Sequence, residues 1–392
     1  MDPRPPYRLL TPGPVPVPPD VLAAMSGKVL HHRTPEFERI LLAAWSGLKY
    51  VFQTRQPVQI LTGTGSAAME AAIVNLLSPG DQVLCVVSGK FGERWAEICE
   101  RFGVKTFRWN LKWGEAAALE AFEAQLKTHS QIRAVFTQVC ETSTATVHPI
   151  HEMARAVRRI TPQALFAVDA ITAVGCMPLL MDEWELDVVI GGSQKAFMIP
   201  TGLGFIALSE RAWMAQSQSR LPKFYLDLAS ERRANEKKET HFSTPTPLIT
   251  GLRLVVERIQ EVGLSQVIAR ASQLAECTRF MGEKLALPVF SRAPSSSVTA
   301  LSVPDTVTST DLRDWMEREC HITIMGGQDQ LKGKIVRVGH MGDIRDNDML
   351  ALGEALAAGM DKFTGSQHLA HVWPELRREL ASRLGSVAPL FP

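Results

Sequence analysis

Three short stretches carry residues able to do chemistry together. VVIGGSQKAFMIPTGLGF, residues 188–205, holds one lysine, Lys195, after a β-branched run and ahead of a Pro-Thr-Gly turn, with no acid in the segment to pair it. Such an amine can attack a carbonyl; the plain alternative is a lysine snorkelling to the surface. LFAVDA, residues 165–170, delivers Asp169 at the carboxyl end of an apolar strand. Open α/β sheets place ligands there, and turn-capping aspartates occur there too. LTGTGSAAMEAA, residues 61–72, reads as strand, glycine-rich turn and helix, a junction whose exposed N–H groups bind phosphate. Gly63, Gly65 and Ala68 also satisfy G-x-G-x-x-G/A, but a dinucleotide site wants an acid at the end of the second strand. The chain has Val86-Val87-Ser88-Gly89 there, with Asp81 ahead of the strand. A phosphate site without a ribose remains, beside simple helix capping by Thr64 or Ser66.

All three groups fall on one edge of one predicted sheet. A phosphate cradle, a carboxylate and an amine are the set that pyridoxal 5'-phosphate requires: a lysine for its Schiff base, an acid against its ring nitrogen and an anion site. Covalent neutralisation of Lys195 also accounts for its missing counter-ion.

The elements that must position these groups alternate from residue 57 onward. VQIL (58–61), QVLCVV (82–87), AVFTQV (134–139), LFAVDA, DVVIGG (187–192) and GLGFIAL (202–208) read as strands, separated by helical patterns at 66–77, 92–103, 115–126 and 151–160. This order predicts a mostly parallel sheet covered on both faces. Residues 227–245 form a polar, charged break whose charged half reads as a solvated loop. Beyond it a long helical stretch (250–286), a strand at 297–303, a helix at 311–320 and paired strands near ITIMGG and KIVRVG predict a separate α+β domain. In the tail, residues 363–392, Leu369, Val372, Leu376 and Leu380 share one side of a helical pattern that either packs on the small domain or docks a partner.

Composition narrows the class. At 392 residues the chain can bury two cores, and 42 Lys plus Arg against 41 Asp plus Glu give no field to gather nucleic acid or a membrane. The cysteines at 85, 99, 140, 176, 277 and 320 form no C-x-x-C pair or disulfide framework, and no run reaches transmembrane length. The Pro-rich start lacks a signal-peptide core and the ending Leu390-Phe391-Pro392 is no peroxisomal signal, so the expected location is cytoplasmic. No metal site is expected.

LTPGPVPVPPDV (10–21), HHRTPEF (31–37), TGTGSAAMEA, SPGDQVL, FAVDAITAVG, GGSQKAF, IMGG and KIVRVGHMG (334–342) together resemble the class V (fold type I) pyridoxal-phosphate aminotransferases of the alanine–glyoxylate and serine–pyruvate group. The similarity covers nearly all of residues 8–360. It implies a fold type I α/β transferase, with a large domain on a mostly parallel seven-stranded sheet and a smaller α+β C-terminal domain. The expected division is an arm (1–20), a large cofactor-binding domain (21–250), a small domain (251–365) and a helical extension (366–392).

By the same resemblance Lys195 is the Schiff-base lysine and proton shuttle, and Asp169 holds the pyridine nitrogen protonated. Thr64, Gly65 and Ser66 cradle the phosphate. Phe91 stacks on the ring, where many relatives have Trp; Thr142 lies near the phenolic oxygen, and Gln194 contacts the cofactor. Arg337 grips the substrate carboxylate, and Gly13 belongs to a TPGP turn closing over the site. HFSTPTP aligns with a motif that reaches the partner's phosphate, giving Thr244 and, where a tyrosine is common, His241. A homodimer with shared sites follows, with a small amino acid and a 2-oxo acid as substrates.

The expected reaction moves an amino group from alanine or serine to a 2-oxo acid, glyoxylate by closest resemblance. A cysteine desulfurase would need a mobile cysteine nucleophile; Cys320, ending an amphipathic helix, reads as a packed thiol. A non-catalytic subunit that retains the fold has no physical need for Lys195, Asp169 and Arg337 together.

Overall fold

The computed structural model describes residues 6–387. Its central sheet has seven strands: β1 (Val58–Thr62), β2 (Gln82–Val87), β3 (Lys105–Asn110), β4 (Ala134–Gln138), β5 (Leu165–Asp169), β6 (Val188–Gly192) and β7 (Leu203–Leu208). They lie in the order β1-β7-β6-β5-β4-β2-β3. β7 runs antiparallel to both neighbours and the remaining pairs are parallel. Alternate residues feed two cores, as a pleat dictates. Val86, Val135, Phe166, Val168 and Val189 face one, while Val87, Phe136, Ala167, Val188 and Ile190 face the other.

β3 is the strand missing from the six sequence candidates. KTFRWN is a half-exposed edge strand, so charged residues alternate with aromatics and no apolar run marks it.

Helix α1 (Pro35–Phe52) begins where the Thr34 side chain accepts from the Phe37 N–H, with Pro35 at the first helical position. Its buried Phe37, Leu41, Ala44, Leu48 and Val51 follow helical spacing and pack on α5, described below. α2 (Gly65–Leu76) and α3 (Lys90–Arg101) cover the opposite face. The charged stretch expected as a loop instead contains α4 (Leu228–Asn235). Asp227 caps it by accepting from the Ala229 N–H, and Leu228 and Glu231 turn inward, so two buried positions suffice to dock a helix whose other residues are charged or small.

The predicted 250–286 helix is two helices, α5 (Thr246–Val262) and α6 (Leu264–Lys284), because Gly263 adopts φ +92°. α5 belongs with the first core through Ile249, Leu252, Val255 and Val256. A third core gathers Leu274 and Met281 of α6, α7 (Ser309–Cys320), α8 (Asp346–Thr364) and α9 (His368–Leu384) around a second sheet. That sheet comprises β8 (Val298–Ser302), β9 (Met325–Gly326) and β10 (Ile335–Gly339), antiparallel in the order β8-β10-β9. Ile322–Thr323, part of the expected ITIMGG strand, pairs instead with Arg8–Leu9 of the N-terminal arm.

α9 resolves the alternatives left for the tail, since it packs on the third core through Trp373, Leu376, Leu380 and Leu384. Leu369 and Val372 are only half-buried. The Gln273 amide of α6 donates to the carbonyls of Arg383 and Leu384 at 2.8 Å each, tying down the helix end. The C-terminal Leu390-Phe391-Pro392 and the first five residues lie outside the described residues. Among the described residues, no helix is long and apolar enough to cross a membrane.

Candidate active site

The carboxyl ends of the parallel strands open on one edge of the central sheet, where doubly wound sheets bind ligands. β5 ends on Asp169, which pairs in register with Gln138 and Ile190. β6 leads through Ser193 and Gln194 to Lys195. β1 leads to the turn before α2, and β2 leads through Ser88 and Gly89 to Phe91 on α3.

Lys195 is 9% exposed. Burial pulls its amine down to about 8, the Arg337 charge adds to that, and Asp169 opposes it. Its Nζ donates to the Pro12 carbonyl oxygen, and a Cβ on Gly13 would lie 2.2 Å from Nζ. The TPGP turn therefore lies directly against the lysine. Asp169 is pushed up to about 7 by burial, opposed by the Ile171 N–H and by the charges of Arg94 and Lys195. Ile171 N–H donates to Oδ1 at 2.8 Å.

Gly65, the first residue of α2, sits so close to Ile171 that a Cβ there would meet its Cδ1 at 2.4 Å. Thr64 precedes it in extended conformation, and its side chain makes no capping bond, so simple capping does not account for that hydroxyl. Ser66 Oγ accepts from Arg94 Nη1 at 3.1 Å. The turn before α2, the acid and the lysine thus adjoin at this edge of the sheet. Asp81 is committed elsewhere, accepting from the Ser78 N–H at 2.7 Å within its turn.

Arg337 reaches in from β10 and is 6% exposed. Nε donates to the Gly326 carbonyl at 2.9 Å and Nη1 to the Thr142 carbonyl at 3.0 Å, and burial lowers its pKa to about 10. Two of the fork's three nitrogens are anchored on main chain, which fixes its plane. Thr142 Oγ1 shares a 2.9 Å hydrogen bond with Thr172 Oγ1. Gln194 Oε1 is buried without a partner, an unmet acceptor at the edge where a ligand donor would satisfy it.

Sequence reasoning missed Glu141. Its buried carboxylate accepts from the N–H groups of Phe91 (3.1 Å) and Gly92 (3.0 Å) at the start of α3, and from Ser143. A Cβ on Gly89 would clash with Glu141 Cγ at 2.7 Å, so that glycine is what lets the acid in. Burial pushes the Glu141 carboxyl up while these donors pull it down. Behind it, burial lowers His148 to about 4, leaving it neutral. Nδ1 accepts from the Ala117 N–H at 3.0 Å, so the proton sits on Nε2, which donates to Ser88 Oγ at 2.8 Å. An acid in CETSTATVHP, beside a run of hydroxyls, was the available signal for Glu141.

Among the described residues, His241 and Thr244 share no hydrogen bond with Lys195, Asp169, Arg337 or the Thr64–Ser66 cradle. The His241 N–H donates to Glu231 Oε2 at 3.1 Å and its ring sits 4.2 Å from that of Phe242. Thr244 lines a recess with Thr62, Tyr225, Glu231 and Thr240. A groove of about 520 Å³ between α1 and α4, lined by Trp45, Lys49 and Gln59, holds none of the chemically matched residues. Cys320 is half-buried against the third core, and burial raises its thiol pKa. Among the described residues, no three His, Cys, Asp or Glu side chains gather to hold a metal.

The geometry suits pyridoxal phosphate. A glycine-lined helix start with a free hydroxyl fits its phosphate, an acid holding its proton to about 7 fits a ring nitrogen, and a desolvated amine fits its aldehyde.

Comparison with known proteins agrees on the family. Residues 10–344 match the family model described as Aminotransferase class-V. The chain is 40% identical to the "Soluble hydrogenase, small subunit" of Synechococcus sp. (strain PCC 6716), over 89% of this chain and 92% of that one. It is 33% identical to L-aspartate–glyoxylate aminotransferase of Paracoccus denitrificans (strain Pd 1222), over 86% and 87% of the two chains. Among solved structures, an alanine–glyoxylate aminotransferase from Nostoc sp. superposes with a TM-score of 0.87 at 30% identity, covering 92% of this chain and 97% of that one. With this sheet order and this edge of the sheet, the chain belongs to the class-V aminotransferases of fold type I.

Proposed function

We propose that the chain is a pyridoxal-phosphate-dependent transaminase that passes the amino group of alanine or serine to glyoxylate. The observation that carries this reading is the meeting of buried Lys195 and Asp169 with the Thr64–Ser66 turn at one edge of the sheet, Gly13 lying against Lys195 and Arg337 anchored on main-chain carbonyls. When bound, the cofactor supplies an electron sink for the carbanion formed at the substrate α-carbon. Lys195 would hold it covalently, and its amine, once free, would carry the proton to and from the α-carbon; in the cofactor-free chain burial already lowers that amine to about 8, which suits such a role. Asp169 would hold the ring nitrogen, Phe91, Thr142 and Gln194 would contact the cofactor as the resemblance implies, and Arg337, whose Nε and Nη1 are held by main-chain carbonyls, would offer Nη2 to the substrate carboxylate.

Alanine and serine are assigned as donors from the resemblance, and the closeness of Gly13 to Lys195 supports small side chains. His241 and Thr244 are assigned to a second copy's phosphate because HFSTPTP resembles the motif that reaches a partner's phosphate; the His241 N–H is turned to Glu231 of its own chain. Phe224, 80% exposed beside Phe242 and Tyr225, supports a homodimer covering that face. The division into arm, large domain, small domain and extension is retained as part of the proposal, with α5 assigned to the large core. Six free cysteines support the cytoplasmic assignment.

The name of the Synechococcus relative raises a second reading, a subunit without catalysis. Burying an amine, an acid and a guanidinium costs stability that packing alone would not require, which favours the enzyme. Glyoxylate-dependent glycine formation, assayed with alanine, serine, aspartate and cysteine as donors, decides the matter. Turnover with alanine or serine supports the proposal; sulfide release from cysteine would replace it with a desulfurase, and no turnover with any donor would favour the subunit.

A further inference from the structure

A phosphate monoester carries a charge of about −1.5 to −2 near neutral pH, and the start of a helix offsets only about half a charge. The cradle of Thr64, Gly65 and Ser66 supplies N–H groups and hydroxyls but no cation. A cation must come from elsewhere in the fold, and neighbouring ones are already committed. Lys90 is paired with Glu93 at 2.7 Å and Asp329 at 2.8 Å, and Arg337 is anchored on the Gly326 and Thr142 carbonyls.

Arg94 is different. It lies one helical turn beyond Phe91 on α3, its guanidinium carbon is 4.9 Å from the Phe91 ring centroid, and Nη1 donates to Ser66 Oγ at 3.1 Å. It therefore touches the cradle and the ring-stacking residue at once. No ion pair to a carboxylate holds it among the described residues; stacking on Phe91 orients it while its charge stays unspent. Its charge also reaches Asp169, so it looks onto the same edge.

We infer that Arg94 is the charge-bearing phosphate ligand of this site, reaching the cofactor phosphate alongside the Ser66 hydroxyl. The inference rests on the pyridoxal-phosphate reading above. A purely structural Arg94 would stiffen Phe91 and the start of α3, and its loss would weaken the whole cofactor; a phosphate ligand weakens only the phosphorylated form.

The test compares pyridoxal 5'-phosphate with pyridoxal, which lacks the phosphate, by equilibrium titration of cofactor-free protein followed by tryptophan fluorescence and visible absorbance. Arg94→Met keeps the length and apolar stem, and Arg94→Lys keeps the charge. Loss of a charge-assisted hydrogen bond predicts pyridoxal phosphate binding weakened about tenfold to a hundredfold in Arg94→Met, with pyridoxal changed by less than about threefold and much of the loss recovered in Arg94→Lys. Inorganic phosphate should compete with pyridoxal phosphate for the wild type and lose that ability in Arg94→Met. Equal losses for both compounds, or no loss for either, would overturn the assignment of Arg94 alone. Wild-type protein that binds neither compound would overturn the cofactor reading, and this inference with it.

Discussion

Replacing Gly13 by alanine adds one methyl group at the point where the N-terminal arm meets Lys195. Two costs follow. Gly13 adopts φ +116°, outside even the left-handed region open to other residues, so an alanine there stores on the order of 1–3 kcal/mol of strain. The added Cβ would also fall 2.2 Å from Nζ, 2.5 Å from Cδ and 2.6 Å from Cε of Lys195. One side must yield. The arm is pinned by the Gly339 N–H donating to the Leu10 carbonyl at 2.9 Å, and Thr11 presses on β10 so closely that a Cβ on Gly339 would meet its carbonyl oxygen at 2.0 Å. The flexible lysine end therefore moves, by about 1 Å or more, a displacement that costs on the order of a hundredfold in rate. Steady-state turnover with alanine and glyoxylate, measured beside a thermal melt, should show kcat falling about that much and a modestly lower Tm. Unchanged kcat with unchanged Tm would refute both the closeness of the arm and its part in seating the lysine.

Arg337→Ala should raise KM for the donor about tenfold to a hundredfold, by loss of a charge-assisted pair, while cofactor uptake stays intact; an unchanged KM would remove its carboxylate-binding role. In cofactor-free protein Asp169 keeps its proton up to about 7, whereas the unfolded chain releases it near 3.8. The folded state then binds more protons between those values, so this residue makes stability fall as pH rises through that window. Asp169→Asn should flatten that part of the curve relative to wild type in denaturant titrations; parallel curves would show that the acid is not held protonated. Leu380→Ala, on the fully buried side of α9, should cost about 2–5 kcal/mol in a chemical denaturation, and a neutral result would mean that α9 is not docked on the third core.

What the sequence shows depends on burial. The inner strands were legible because Val83–Val87 and Val188–Ile190 are buried on both faces and read as unbroken apolar runs. β3 and α4 were not, since each keeps most of its surface wet and its pattern is set by solvent. Lys195 and Asp169 stood out because a charged residue ending an apolar strand breaks that pattern. Glu141 and Arg94 did not, because their meaning is tertiary: one is held by N–H groups about 50 residues earlier on α3, the other binds a hydroxyl on α2. The Pro12 carbonyl, 183 residues from Lys195, gives no chemical signal in a sequence. The family resemblance supplied Gly13 and Arg337 where periodicity offered only a turn glycine and a strand arginine.

The most direct measurement is the visible absorbance of purified wild-type protein and Lys195→Ala, before and after adding alanine or serine, and again after glyoxylate. The wild type should carry a visible cofactor band that the donor bleaches and glyoxylate restores, and Lys195→Ala should not complete that cycle although it folds. A wild type that stays colourless with added pyridoxal phosphate, or a Lys195→Ala protein that cycles as well as the wild type, would contradict the assignment of Lys195 at the centre of this site.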